Sequence, residues 1–145
     1  MNAPADPAFA QRCRESFGRQ KAMALIGAKL AVVEPGYVEV ALPFREDLTQ
    51  QKGYIHGGVI GMIADTACGY AAFSLMPAGG SLVTVEYKMN ILKPGRGALV
   101  AHGKVLRPGR TLTVARAEVY AQDGSHVATM LQTLMALPDR PDRPE

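Results

Sequence analysis

The sequence predicts an α+β fold in which one long central helix packs against a strongly twisted antiparallel β-sheet. Two observations carry this prediction. The segment of residues 57–76 is apolar nearly throughout, as expected of a helix that the rest of the protein surrounds. Four strand-like segments then follow between residues 81 and 137, joined by short turns. Because antiparallel sheets twist strongly, such a sheet can wrap around the helix.

The first 43 residues contain two short helices and a hairpin. Apolar side chains recur every fourth position between residues 9 and 17, so residues 7 to about 26 are predicted to be helical. Gly18 divides this segment into two short helices. Two short strands follow, residues 30–34 and 37–43, and the Pro35-Gly36 turn between them predicts a hairpin.

A polar loop, residues 45–55, leads into the central helix, which we expect to begin at Gly57. Pro77 and the glycines after it end this helix after about 20 residues. A helix of this length and apolarity is also compatible with a membrane span. The position of Asp65 near its middle and the strands that follow argue against that alternative, so no membrane association is expected.

The strands after the helix are predicted from alternation and turns. In the first of them apolar and polar residues alternate from Val83 to Ile91, which is typical of a strand with unlike faces. The turns 94–97, 108–109 and 123–124 are short and rich in glycine, and they predict antiparallel neighbours in chain order, a four-stranded meander. The predicted strands are residues 81–93, 98–107, 111–122 and 125–137.

Length and composition indicate a single domain. We expect residues 1–137 to form one domain with an N-terminal helical segment, residues 1–26, and the charged, proline-rich residues 138–145 to form a disordered tail. The net charge of +3 is mild and the basic residues are scattered, so nucleic acid is not an expected partner, whereas a small polyanion is compatible.

The cysteines and histidines restrict the function classes further. Two cysteines, Cys13 and Cys68, cannot form a disulfide framework, and no apolar leader opens the chain. A cytoplasmic protein with reduced thiols is therefore expected. His102 and His126 stand in strands without the spacing of a metal site, so no metal is expected.

Asp65 is the side chain that most needs an explanation. It is the one formally charged residue between Lys52 and Glu86, and a carboxylate in a buried segment is costly unless it is paired or used. The same helix opens with His56-Gly57-Gly58, and a helix N-terminus with unobstructed N–H groups favours negative charge. An oxyanion donor and an isolated carboxylate together suggest acyl chemistry.

Helix geometry adds a constraint on how these two groups act. Asp65 lies eight residues beyond Gly57, so their backbones are about 12 Å apart along the helix axis. One small acyl substrate cannot easily touch both. If both act on one substrate, they come from two chains related by a two-fold axis, which predicts an obligate dimer.

Three segments of the sequence resemble the hotdog-fold acyl-CoA thioesterases of the phenylacetate-pathway type. The resemblance spans residues 25 to 137 and rests on the combined spacing of the segments. They read LTQQKGYIHGGVIGMIADTACGYAA, VTVEYKMNILKPGRG and VLRPGRTLTVARAEVYAQDGSHVATM.

The resemblance implies a site built by four residues. Gln50 stands six residues before His56, Gly57 follows the histidine, and Asp65 stands nine residues after it. In such enzymes the glycine N–H polarises the thioester carbonyl, and the carboxylate acts on water as a general base or attacks the thioester directly. The resemblance does not choose between these two routes. It also implies composite sites at the interface of a dimer, and dimers that pair into a tetramer.

Further residues are implied with simpler alternatives beside them. Thr84 matches a residue that holds the attacking water in some relatives, or is an ordinary strand threonine. The turn after the predicted strand 98–107 matches a segment that often contacts the nucleotide of coenzyme A, or is simply a solvated hairpin tip. Its candidate residues are Arg107, Gly109, Arg110 and Thr111. Lys93 and Arg96 are weaker candidates for the same role.

The remaining candidates also have plainer explanations. His56 is interpreted as a residue that orients its loop in preference to an acid or base, and Asp65 could be a paired structural carboxylate. Four apolar residues could line an acyl pocket or simply belong to the core. They are Tyr54, Tyr70, Phe73 and Met76.

The sequence thus predicts an acyl-CoA thioesterase that releases a free acid and coenzyme A. No metal or redox cofactor is expected, since coenzyme A belongs to the substrate. Gln50 paired with Asp65 mixes the patterns of two subgroups, so an aryl or phenylacetyl group and a short to medium aliphatic chain both remain open. A non-catalytic acyl-CoA-binding or regulatory module is the alternative. Hydratases and dehydratases of the same fold fit less well, because His56 lacks the acidic partner they use.

Overall fold

The protein, described here by a computed structural model for residues 3–144, consists of one long helix against a six-stranded antiparallel sheet. Met1, Asn2 and Glu145, which the predicted domain and tail include, lie outside the described residues. The helices are α1 (Phe9–Gly18), α2 (Lys21–Ile26) and α3 (Gly57–Phe73), with a 3-10 turn at Glu46–Leu48. The strands are β1 (Lys29–Glu34), β2 (Tyr37–Leu42), β3 (Ser81–Ile91), β4 (Leu99–Arg107), β5 (Leu112–Ala121) and β6 (His126–Leu137).

The order of the strands corrects the predicted meander. The sheet runs β1-β2-β4-β5-β6-β3, so β3 pairs with β6 and not with β4, the next strand along the chain. Residues 92–98 therefore cross over the ends of two strands to return to the middle of the sheet. Gly95 fixes this crossing, because its carbonyl accepts a hydrogen bond from the Ile55 N–H at 2.9 Å, just before α3 begins. A short turn thus serves as a crossover that supports the start of the helix.

Helix α3 is buried against the inner face of the sheet and ends earlier than predicted. It has 17 residues, against the expected 20, and packs against strands β2, β4 and β5. The buried Ser74 follows it directly, donating a hydrogen bond to the Ala71 carbonyl at 2.7 Å and accepting one from the Gly36 N–H at 2.8 Å. The helix end is thereby attached to the β1–β2 turn. In residues 3–144 no helix is long and apolar enough to cross a membrane.

Gly103 of β4 lets the sheet approach the helix backbone closely. A Cβ atom at this position would lie 2.3 Å from the carbonyl carbon and oxygen of Ala67 and 2.7 Å from the Cys68 nitrogen. Backbone atoms in the middle of a helix cannot move aside as a flexible side-chain end can. Only glycine therefore fits at the point where sheet and helix meet.

We expect Gly103→Ala to lower the free energy of unfolding by about 3 kcal/mol or more, because the added methyl group forces helix and sheet apart. Thermal unfolding monitored by circular dichroism should show the midpoint falling by about 10 °C. Gly18→Ala is the matched control, since nothing lies within 4 Å of a Cβ added there. Equal midpoints for the two variants would contradict the close contact.

A β-bulge in β3 changes which of its residues face the helix. Thr84 lies opposite Leu134 of β6, whereas Glu86 lies opposite Thr133, so Val85 is the extra residue. Because paired residues share a face, Thr84 points inward with the buried Leu134, and after the bulge Tyr87 and the odd-numbered residues beyond it point inward. The predicted alternation across the whole strand is therefore wrong: its phase changes at Val85.

The tail, for which the composition predicts disorder, lies against α1 in the structure. Arg19 contacts Asp142 twice through Nη2, at 2.9 Å to the carboxylate and 2.7 Å to the main-chain oxygen. Ser16 also donates a hydrogen bond to the Asp142 carboxylate. These contacts hold residues 138–144 beside the first helix.

Candidate active site

Asp65 lies at the centre of a closed network of three side chains. Its Oδ1 accepts a hydrogen bond from Thr84 Oγ1 at 2.7 Å and another from Gln132 Nε2 at 2.5 Å. Gln132 Nε2 also donates to Thr84 Oγ1 at 2.8 Å. The three elements that meet here are α3, β3 and β6.

The directions of these hydrogen bonds follow from the chemistry of the groups. An ionised carboxylate only accepts, so the Thr84 hydroxyl donates to Asp65 and must accept from Gln132. Gln132 therefore presents its NH₂ group to both partners. No hydrogen bond from residues 3–144 reaches the second oxygen of Asp65, Oδ2. One oxygen is anchored and the other is left for a ligand or water.

Gln132 is the member of this network that the sequence analysis missed. It is fully buried, and its carbonyl oxygen has no hydrogen-bond partner among the described residues. A signal for it exists in the sequence, because the inward-facing positions of β6 are otherwise apolar, as at Met130 and Leu134. A polar residue in an apolar phase of a strand needs a partner, and here the partner is Asp65.

A cavity of about 190 Å³ lies beside the Asp65 network. Asp65 and Thr84 form one end, and Tyr70, Phe73 and Leu82 contribute apolar walls. Two of the predicted pocket residues, Tyr70 and Phe73, therefore line this cavity, whereas Tyr54 and Met76 do not. Tyr54 instead lies below the Arg96 guanidinium, 4.7 Å from it, near the start of α3.

The start of α3 provides one free backbone donor. His56 is the N-cap residue, and its Nδ1 accepts a hydrogen bond from the Gly58 N–H at 2.8 Å. This cap agrees with the interpretation of His56 as a residue that orients its loop. Gly57 opens the helix, so its N–H has no acceptor within the helix. Of the two glycines, Gly57 is therefore the one whose N–H can bind an oxyanion.

Gln50 lies in the tight loop that precedes the helix. Its Oε1 accepts a hydrogen bond from the Lys52 N–H at 2.5 Å, and its own N–H donates to the Tyr54 carbonyl at 2.8 Å. A bridge between Thr49 and Ile55 closes the loop. The amide nitrogen of Gln50 keeps its two donors for a ligand. This loop, His56 and Gly57 form one group at the start of α3.

The predicted site residues thus fall into two groups at opposite ends of one stretch of α3. The helix runs antiparallel to β3: a Cβ at Gly57 would lie 3.0 Å from Ile91 Cδ1, whereas Asp65 contacts Thr84 near the other end of the strand. Asp65 lies eight positions after Gly57, a separation of about 12 Å along the helix. A single chain does not bring the two groups together.

The predicted nucleotide-binding turn lies between β4 and β5, near the Asp65 end of the sheet. Thr113, just after the turn, pairs with Leu134, which in turn pairs with Thr84, so the three residues form one row across the sheet. All four predicted residues are exposed. They are Arg107, Gly109, Arg110 and Thr111. A Cβ at Gly109 would lie 2.0 Å from the Leu112 carbonyl oxygen, so the turn requires glycine.

The two strand histidines do not line the cavity beside Asp65, and each has a side-chain partner elsewhere. His102 Nδ1 lies 2.7 Å from the Tyr37 hydroxyl, and His126 Nε2 lies 2.6 Å from Glu118. Within residues 3–144 no cluster of three metal-ligating side chains is present. Burial raises the pKa of the Cys68 thiol, which fits its interpretation as a packing residue and not a nucleophile.

Comparison with known proteins identifies the family. Residues 52–128, which include His56, Gly57, Asp65 and Thr84, match the family model described as the thioesterase superfamily. The chain belongs to the thioesterase superfamily. The predictions that the protein has a hotdog fold and is a thioester hydrolase are confirmed.

Individual relatives agree with this assignment. A thioesterase family protein from Silicibacter pomeroyi is 47% identical, with a TM-score of 0.86 over 89% of this chain and 98% of that one. A medium/long-chain acyl-CoA thioesterase of Salmonella typhimurium is 28% identical over 98 residues, 58% of this thioesterase and 63% of the relative.

The fold of the phenylacetate-type thioesterases is also present among the similar structures. The PaaI protein of E. coli, from the phenylacetic acid degradation operon, has a TM-score of 0.84 at 21% identity, covering 92% of this chain and 96% of that one. At this identity the similarity concerns the fold.

Proposed function

We propose that this thioesterase hydrolyses a small acyl-CoA to the free acid and coenzyme A, with Asp65 as its catalytic carboxylate. The observation that carries the proposal is the anchoring of one Asp65 oxygen by Thr84 and Gln132 beside a cavity, with the second oxygen left free. A paired structural carboxylate would have hydrogen bonds to both oxygens or be fully buried. In residues 3–144 only one oxygen of Asp65 has hydrogen-bond partners, and its side chain is only partly buried.

The chemistry then has two routes, which share one oxyanion site. As a general base, Asp65 Oδ2 takes a proton from water while the water oxygen attacks the thioester carbonyl. As a nucleophile, Oδ2 attacks the carbonyl itself, and water hydrolyses the resulting anhydride. In both routes the carbonyl oxygen becomes an oxyanion that accepts a hydrogen bond from a Gly57 N–H, and the C–S bond breaks to release the thiolate of coenzyme A.

A dimer supplies the missing donor in this proposal. The open edge of β3 carries several exposed apolar side chains, among them Val83, Val85 and Tyr87, each more than two fifths exposed. A long apolar edge strand of this kind needs a cover. The less buried stripe of α3 lies beside this edge at helical spacing, through Met62, Asp65 and Gly69. A second copy related by a two-fold axis would bring its Gly57 end to this chain's Asp65 end.

Coenzyme A is proposed to bind with its phosphates at the β4–β5 turn. Arg107 and Arg110 are exposed there, and a guanidinium can bind a phosphate through two parallel hydrogen bonds. Lys93 and Arg96 are weaker candidates, since Arg96 already donates to the Tyr54 hydroxyl at 3.1 Å. The turn lies at the same end of the sheet as Asp65, which supports a substrate that reaches from one to the other.

The cavity favours a compact acyl group. Its volume of about 190 Å³ is close to the roughly 150 Å³ of an apolar cavity that binds benzene. The aromatic rings of Tyr70 and Phe73, whose planes are 84° apart, form part of its wall. These features support an aryl or phenylacetyl group over a medium aliphatic chain.

The test of the proposed function is the release of free coenzyme A from a panel of thioesters, followed with a thiol reagent. We expect turnover of phenylacetyl-CoA and benzoyl-CoA above that of decanoyl-CoA. The matched control is a thioester in which a small thiol replaces coenzyme A and the acyl group stays the same. This substrate lacks the nucleotide, so it should show a higher KM. Tight binding of acyl-CoA without turnover of any substrate would favour the non-catalytic binding module instead.

Four further expectations stay predictions: a cytoplasmic location, no metal or redox cofactor, no nucleic acid partner, and pairing of dimers into a tetramer.

A further inference from the structure

A group of polar side chains forms one wall of the cavity beside Asp65. Ser16 of α1, Tyr70 of α3 and Asp142 of the C-terminal segment meet there. The Ser16 hydroxyl donates to the Asp142 carboxylate, so it must accept from the Tyr70 hydroxyl, which lies 2.9 Å away. Gln20 donates to the same tyrosine oxygen at 3.2 Å. Burial raises the pKa of Tyr70, in keeping with its role as a donor.

A second cavity lies on the far side of this wall. It has a volume of about 280 Å³ and shares Ser16, Tyr70 and Asp142 with the cavity beside Asp65. Its outer boundary is formed by the C-terminal segment, through Pro141 to Pro144. The two cavities therefore adjoin each other, and Asp142 contributes to the lining of both.

We propose that the C-terminal segment, residues 138–144, is the end wall of the acyl pocket, and that the contact of Arg19 with Asp142 holds it in place and excludes long acyl chains. This inference rests on the proposed function, because it assigns the acyl group to the cavity beside Asp65. It makes Arg19 and Asp142 specificity-determining residues that lie outside the reacting centre.

The strength of the contact between Arg19 and Asp142 determines how much its loss should change the selectivity for acyl chain length. Arg19 and Asp142 are 51% and 40% exposed as side chains, so their ion pair is weak on its own. Arg19 also donates to the Asp142 main-chain oxygen at 2.7 Å, which fixes the backbone as well as the carboxylate. Loss of the Arg19 or the Asp142 side chain should therefore loosen the C-terminal wall, and loss of residues 138–144 should remove it.

The experiment compares decanoyl-CoA with phenylacetyl-CoA as substrates of the full chain, of Arg19→Gln and of a chain ending at Leu137. The measured quantity is the ratio of the two kcat/KM values. We expect the kcat/KM for decanoyl-CoA divided by that for phenylacetyl-CoA to rise about threefold in Arg19→Gln and about tenfold in the shortened chain, because loss of the wall makes room for the long chain. Lys21→Gln, which removes an exposed cation from the next helix, is the matched control and should leave the ratio unchanged.

An unchanged ratio in both variants, with the parent active and both variants folded by circular dichroism, would overturn the inference alone. A parent with equal kcat/KM values for decanoyl-CoA and phenylacetyl-CoA would overturn the inference together with the proposed preference for a compact acyl group. A parent that hydrolyses no acyl-CoA would overturn the proposed function, and the inference with it.

Discussion

Replacing Asp65 with asparagine is expected to lower kcat by about a hundredfold or more, with little change in stability or in binding of the substrate. The amide oxygen of asparagine can still accept the hydrogen bonds that Thr84 and Gln132 donate to Oδ1. What the variant loses is the negative charge and the basicity of the second oxygen, which both proposed routes require. Stopped-flow or steady-state measurement of coenzyme A release gives kcat and KM separately.

The control for this variant is Asp123→Asn, which makes the same chemical change at an exposed turn carboxylate that pairs with Ser125. It should keep full activity. If Asp65→Asn retained a tenth or more of the parent kcat, Asp65 would return to a structural role. A large loss of kcat with an unchanged unfolding midpoint would assign the carboxylate to the reaction.

Removing the Gly57 N–H should lower kcat by about 10²–10³, the usual effect of losing one oxyanion donor. Gly57→Pro is suited to this purpose, because proline at the first position of a helix is well tolerated and lacks the N–H. His56 has backbone angles of φ −57° and ψ 135°, which a following proline accepts. Gly57→Ala is the matched control: it adds a similar Cβ beside Ile91 and keeps the N–H.

The same variant tests the two-chain site by complementation. If each site takes Gly57 from one chain and Asp65 from the other, a heterodimer of Gly57→Pro with Asp65→Asn contains one intact site and one doubly defective site. Purified through two different tags, it should recover about half of the parent activity per dimer. The homodimer of Gly57→Pro and the homodimer of Asp65→Asn should both be inactive. A heterodimer as inactive as they are would show that the two residues act within one chain.

Every α-helix and every strand of the structure corresponds to an element that the sequence predicts, and the proposed site rests on two residues that the sequence singles out. Asp65 was identified because it is alone among apolar residues, and Gly57 because it opens the helix. The pairing of β3 with β6 was beyond it, since a Pro-Gly turn of the same length can close a hairpin or carry a crossover. Contacts between residues distant in sequence distinguish the two, among them the hydrogen bond from Ile55 to Gly95.

The Asp65 network was only half predictable for a related reason. Thr84 belongs to the polar, outward phase of β3 if alternation is followed through the strand, and the bulge at Val85 turns it inward. Gln132 lies 67 residues from Asp65 along the chain, so no local spacing connects them. Its meaning depends on a strand pairing that the turns do not reveal.

The bulge at Val85 makes β3 two strands joined out of phase. Before it, the strand presents the Thr84 hydroxyl to the carboxylate; after it, Tyr87 and Ile91 cover the glycines of α3. A perfectly regular strand could satisfy one of these demands but would turn the other set of side chains outward. The position of the Thr84 hydroxyl and the packing of Tyr87 and Ile91 on the start of α3 therefore depend on one extra residue, and deleting Val85 would disrupt one of them.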